Sequence, residues 1–293
     1  MSWRSLVSLL WRLKVTTTIL LASAYADSTT VINEIHYHPA NGSQTEWIEL
    51  ANTMSYDMDL GGWQLTGAVE YTFPKDTTIA ASEFLVVAAD PSKVRLRSAF
   101  EKALGPFEGN LSNQGERIEL RNVANRVMSV VNYNDREPWP EAADGSGATL
   151  AKLHPETDSA TVESWAASFR YGGSPGSDNF NTPKLPIVIE ETAPAGDPTA
   201  FWMETSPGDL KDHVVAIAGD RQREVVLPEG NAVIVSGDQL GFTTNKGDLL
   251  CLYSPNKTQV LSAVRLDDVV RGRSVDHPGR WLFPAEASPR EPN

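Results

Sequence analysis

Cysteine is almost missing from this chain of 293 residues. Cys251 stands alone, so no disulfide can form within one chain, and the fold must rest on apolar cores. Long apolar runs are missing as well once the first residues are passed. Beyond residue 26 no segment approaches the roughly 20 apolar residues that a membrane-spanning helix needs. Basic charge is in deficit, with 25 Lys and Arg against 38 Asp and Glu and a formal net charge of −13. Such a balance repels phosphate backbones and anionic headgroups, and it excludes nucleic acid as a partner. Catalytic signatures are missing too. There is no Gly-X-Ser-X-Gly elbow, no Walker loop, no paired-cysteine zinc spacing and no dinucleotide fingerprint. No catalytic, metal-binding or cofactor-binding residue is therefore assigned from the sequence.

What is present begins with an export signal. Arg4, Arg12 and Lys14 precede an apolar run from Val15 through Ile19 to Leu21, and the small-residue triplet Ala24, Tyr25, Ala26 follows. This layout predicts a signal peptide over 1–26, cleavage after Ala26, and a destination in the periplasm, at the cell surface or outside the cell. Loss of those three basic residues makes the mature chain more acidic still.

The dominant periodicity is two, as in Glu46, Trp47, Ile48, Glu49, Leu50 and in Glu116 to Arg121. Alternation of this kind marks half-buried strands. Further β-rich runs are Thr30 to Tyr37, Val69 to Phe73, Phe84 to Ala88, Val127 to Tyr133, Val225 to Leu227, Val233 to Val235 and Leu249 to Tyr253. Turn residues separate them, which predicts an antiparallel sandwich. One helix is expected from an Asp90 cap and Pro91 at its first position, through Val94, Leu96, Phe100, Ala103 and Leu104, to a stop at Gly105.

A weak internal repeat runs through the whole chain. Pro39, Trp47 and Glu49 share their offsets with Pro194, Trp202 and Glu204. Asp59-Leu60 then answers to Asp209-Leu210, Phe73-Pro74 to Leu227-Pro228, and Asn113 to Glu116 to Asn245 to Asp248. Val130-Val131 parallels Ala263-Val264. Each half closes on His-Pro, Trp and Ser-Pro: His154, Pro155, Trp165, Ser174 and Pro175 against His277, Pro278, Trp281, Ser288 and Pro289. Two domains are expected, 27–180 and 187–293, joined by a stiff polar linker at Phe180 to Pro186, with the second copy shorter and without the helix.

The run Val31-Ile32-Asn33-Glu34-Ile35, then Glu46-Trp47-Ile48-Glu49-Leu50-Ala51-Asn52, Asp59-Leu60-Gly61-Gly62-Trp63, Phe73-Pro74 and the closing Ser174-Pro175-Gly176-Ser177-Asp178-Asn179 resembles the lamin-tail domain of exported bacterial proteins. The resemblance covers Val31 to Asn179. It reaches residues 187–293 only through the internal repeat, since that half lacks the Gly-Trp pair and the Asn-Glu-Ile opening. It implies an all-β chain of two immunoglobulin-like antiparallel β-sandwich domains in tandem. It also implies a domain that binds partners, often beside catalytic domains, without catalytic residues of its own.

Several residues stand out against this frame. His36 and His38, two apart on a strand, would point to one face about 7 Å apart, with Glu34 beside them and Glu46 or Glu49 on the next strand. That set could hold zinc. The repeat places Glu191 and Ala193 at the histidine positions, however, so the fold does not require the pair. His213 falls where the repeat has Trp63 and reads as a substitute for an aromatic. Asp144 in the loop Glu141 to Gly147, with Asp158, offers oxygens for calcium but lacks the spaced Asp series of an EF-hand, and a tight turn explains its glycines. Cys251, inside Leu249-Leu250-Cys251-Leu252, reads as a small buried hydrophobe rather than a reactive thiol. Trp47, Trp63, Trp139, Trp165, Trp202 and Trp281 could form a sugar platform. The repeat pairs Trp47 with Trp202 and Trp165 with Trp281, which favours packing roles, and Trp139 between two prolines is the one expected at the surface. The function expected is that of an exported binding or scaffolding protein with protein partners at the envelope. The alternative is a secreted carbohydrate-binding module or an accessory to an extracellular hydrolase.

Overall fold

The computed structural model describes residues 27–40, 42, 45–94, 103–228, 233–274, 280–284 and 286–287. The expected signal peptide, 1–26, and His277 lie outside the described residues. The first half contains β1 (Thr30–His36), β2 (Trp47–Asn52), β3 (Met58–Asp59), β4 (Gln64–Gly67), β5 (Val69–Thr72), β6 (Thr78–Ile79) and β7 (Phe84–Ala88). It continues with β8 (Glu108–Gly109), β9 (Gly115–Arg121), β10 (Val127–Asn134), β11 (Leu150–Lys152) and β12 (Trp165–Ala167). The second half contains β13 (Ile189–Thr192), β14 (Trp202–Thr205), β15 (Val214–Ile217), β16 (Asp220–Val226), β17 (Ile234–Ser236), β18 (Leu249–Tyr253), β19 (Val260–Arg265), β20 (Arg271–Arg273) and β21 (Trp281–Leu282).

These strands build two antiparallel sandwiches of the immunoglobulin-like kind. In the first, the sheet β12-β11-β1-β2-β7 faces β10-β9-β4-β5-β8; in the second, β21-β20-β13-β14-β17 faces β19-β18-β15-β16. Read strand for strand, the orders of the facing sheets agree, and among the described residues the second half has no counterpart of β8 or of the β3-β6 pair. Alternation places the cores. Ile118 and Leu120 of β9 meet Leu65, Val131 and Ile48 in the first, while Val215, Ile217, Leu250, Leu252 and Leu261 meet Ile189, Met203 and Val235 in the second.

A bulge between Ile32 and Glu34 changes which residues share a face. Ile32 and Ile35 are three apart, yet both enter the core, opposite Leu50 and Ile48. Glu34 and His36 are thereby turned to the outer face of the sheet, opposite Glu49 and Trp47.

The sheet of β15, β16, β18 and β19 is covered on both sides. Its second face, through Val214, Ala216, Leu249, Cys251, Tyr253, Val260 and Ala263, packs on Ala148, Ala142, Ala167 and Tyr171 of the first sandwich. Double coverage explains why Leu249 to Leu252 is apolar without alternation. The Tyr253 hydroxyl donates to Ser146 O at 2.9 Å, and Val260 N donates to Phe169 O at 2.8 Å across the same joint. Gly147 lies at φ +94°, and a Cβ there would stand 2.4 Å from the Tyr171 ring, so glycine lets that ring lie against this loop on the first sandwich's side of the joint.

Two expectations need correction here. The stretch expected as a helix from Asp90 to Gly105 starts as a single 3₁₀ turn, Pro91–Lys93, capped by Asp90, and Val94 is already extended. Residues 95–102 lie outside the described residues, but Leu104 is not helical; it bridges Val87 in parallel and hydrogen-bonds along the edge of β7. Its backbone covers the strand edge while its side chain packs against the first core. The second half was expected to lack a helix, yet the short α1 (Gly237–Leu240) follows β17, where the 3₁₀ turn follows β7. The segment Phe180 to Pro186 is also pinned rather than merely stiff. Arg170 Nε donates to Thr182 Oγ1 at 2.8 Å, and Gln259 Nε2 donates to Pro183 O at 3.0 Å.

Candidate functional site

The residues that carry the sequence resemblance converge beneath the closing loop. Glu34 and Glu49, directly opposite on β1 and β2, are both fully buried. Ser174 donates its N–H and hydroxyl to Glu34, and Thr149 adds a further hydroxyl. Gly176 N donates to Glu49 Oε2 at 2.5 Å, and Asn33 Nδ2 donates to its other oxygen at 2.8 Å. Asn179 closes the loop by donating to Asn33 O and Lys152 O. Burial, and then repulsion from Glu34, push the Glu49 carboxyl well above the usual carboxylate range. Gly173 is needed beside them, since a Cβ there would sit 2.6 to 3.0 Å from Thr149, Glu34 and Trp47. These carboxylates hold the loop through its amides and hydroxyls.

Lys152 lies wholly buried next to this network. Its ammonium pairs with Asp27 at 3.0 Å and donates to Ser159 Oγ and to the carbonyls of Pro155 and Thr157. Asp27 also accepts from Ser129 Oγ and Ser159 N. Burial lowers the Lys152 pKa against the pull of Asp27.

A second cluster forms where the sandwiches meet. Asp144 binds His38 Nδ1 at 2.5 Å through one oxygen and Arg265 at 2.5 Å through the other. Arg265 N also donates to Glu141 Oε2 at 3.1 Å. Nearby, Arg223 is held by Asp220 and Asp248. These groups border an open cleft of about 850 Å³ between the sandwiches, and a smaller cavity of about 390 Å³ adjoins it. Glu46 lines both. It is 2 % exposed and accepts a hydrogen bond from Leu111 N at 2.8 Å. Burial raises its pKa to about 7, against the opposing effects of that hydrogen bond and of His38.

The residues weighed for zinc are only partly brought together. Glu34, His36 and Glu49 share the outer face of the sheet, but β1 ends at His36, and His38 turns away to Asp144. The His36 ring packs edge-on against Trp47 at 5.7 Å, and burial lowers its pKa to about 3, so it stays neutral. No group of three or more His, Cys, Asp or Glu able to hold a metal occurs among the described residues. Asp144 and Asp158 do not meet over a calcium loop either; Asp158 caps its own turn through Ala160 N and Thr161 Oγ1. His213 is buried as its N–H reaches Leu210 O, the contact that Trp63 makes with Leu60. Cys251 is buried in the joint, where desolvation pushes its thiol up to about 12.

The tryptophan expectation is overturned. Trp139 is half-buried, with its ring 6.5 Å from that of Trp165, and Glu137 in the same loop accepts from Arg271 and from Trp281 N of the second sandwich. The loop is used inside the molecule. Trp47, Trp63, Trp165 and Trp281 are buried and Trp202 is half-buried, so the described indoles offer no exposed platform for sugar stacking.

Arg223 and Arg265 carried no signal along the sequence, and Asp248 appeared there only as the end of a repeat-matched turn. Glu46 did: the repeat sets it against Phe201, which is buried in the second core. A carboxyl where the other copy keeps an apolar ring marks a position that the fold does not need charged.

The sheet pairing and paired cores define the class of immunoglobulin-like β-sandwich. Within that class, residues 23–135 match the family model of the Lamin Tail Domain, and the chain carries a lamin-tail domain. The matched stretch takes in β1 to β10; β11, β12 and the closing loop lie beyond it. A comparison with curated proteins found no match.

Proposed function

We propose that this protein is exported and serves as a non-catalytic binding or scaffolding protein, with protein partners at the cell envelope. The observation that carries this reading is the lamin-tail match on an immunoglobulin-like sandwich whose signature carboxylates are spent on holding the closing loop. Such a domain works through its surface, and its activity follows from what docks there. Export is supported by the sequence of residues 1–26 and by the role of Asp27. Its carboxylate is tied to Lys152, Ser129 and Ser159, so cleavage after Ala26 leaves this anchor in place. The division into 27–180 and 187–293 is supported by β1 to β12 and β13 to β21 falling on either side of Phe180 to Pro186, and the shared strand order supports a degenerate second lamin-tail copy.

Affinity capture with residues 27–293 from an envelope extract tests the reading. Saturable recovery of a defined protein is the expected outcome, and recovery of glycan alone or of nothing overturns it. Terminal sequencing of the secreted protein should begin at Asp27.

A further inference from the structure

Among the described residues, Glu46 has no ion-pair partner. It precedes β2, its Oε2 accepts from Leu111 N, and no lysine or arginine among the described residues pairs with it. The other charged groups bordering the two cavities are already engaged. Arg223 binds Asp220 and Asp248, Arg265 and His38 bind Asp144, and Asp90 accepts from Ser92 at the surface. A desolvated carboxyl without a cation is costly unless it is neutralised by a proton or a partner. Glu46 and Asn110 border both cavities, so the carboxyl stands where the two spaces join.

We propose that Glu46 anchors a recognition pocket for one basic side chain, lysine or arginine, of a partner polypeptide. The proposal rests on the binding function above. The larger cleft, about 850 Å³, falls within the range of about 300–1,000 Å³ usual for bound small molecules and exceeds one side chain. The surplus holds flanking backbone, for which Asn110, Asn113 and Gln114 supply amides at the wall. Phe201 at the matching place in the second sandwich shows the same fold closing with no carboxyl there.

Ionised Glu46 is the form that binds a cation. Its pKa of about 7 makes affinity about tenfold higher at pH 8 than at pH 6. His38 also borders the cleft, and comparison with a His38→Gln variant isolates the contribution of Glu46.

The test is an NMR-monitored titration of residues 27–293 with the methylamides of acetyl-lysine, acetyl-arginine and, as the neutral control, acetyl-norleucine. Expected are saturable shifts at the cleft with the cationic probes alone, about tenfold tighter at pH 8 than at pH 6, and lost in Glu46→Gln while its melting temperature holds or rises. Absence of saturable binding to the wild type, equal binding of the neutral probe, or binding that survives Glu46→Gln overturns the pocket. Envelope capture separates this from failure of the wider reading. A protein recovered equally by wild type and Glu46→Gln removes the pocket and keeps the scaffold, whereas no protein recovered by either removes both.

Discussion

Two glutamates buried face to face tie the stability of this protein to pH. The Glu49 pKa is raised above its unfolded value, so folding takes up a proton. That contribution is complete below the ordinary glutamate range and is lost as pH rises through the raised value. Glu49→Gln should flatten the fall of melting temperature between pH 5 and 9, and an unchanged slope would assign it to other groups. Lys152→Met should cost about 3–5 kcal/mol in chemical denaturation, because it removes the buried ammonium with which Asp27 pairs. Single residues were unevenly legible in the sequence. His213 and Cys251 sit as their neighbours suggested, since each replaces or extends an apolar pattern. Trp139 does not, because the flanking prolines signal a loop but say nothing of what that loop rests on.

At the level of elements, β7 and β18 were readable to the residue, because unbroken apolar runs bounded by turn residues leave few alternatives. The helix expected from Asp90 to Gly105 is not formed at its two described ends, because apolar spacing cannot distinguish a helix face from a segment paired along a strand edge, which is the use made of Leu104. The bulge in β1 was equally hidden; strict alternation would have put Ile35 outside, and the register shift brings it in. The short α1 owes its start to a capping box in which Ser236 and Gln239 exchange hydrogen bonds. Ser236→Ala should lower stability by about 1 kcal/mol in urea denaturation, and no change would mean that the turn is held by Gly237 alone. Gly237 itself approaches Pro198 O so closely that an added Cβ would stand at 2.1 Å, so Gly237→Ala should cost more than the cap.

At the level of the molecule, the joint between sandwiches was the least legible feature. His38 and Asp144 are 106 residues apart and Arg265 lies 121 beyond Asp144, so no local pattern announces their meeting. The unalternating run around Cys251 was its one trace. Ala216→Arg, which puts a long charged chain into the apolar joint, should separate the sandwiches and raise the radius of gyration in solution scattering while each keeps its strands. The Cys251 thiol should resist alkylation in the native protein and react once that joint is opened, and prompt labelling of the wild type would contradict the packing. The sheet of β15, β16, β18 and β19 is a party wall, serving the second sandwich inside and the first sandwich outside. A fragment cut at the linker would carry away a wall finished for two tenants, with one apolar side facing water. Each half therefore depends on the other to keep that face dry, however separable their strand orders look on paper.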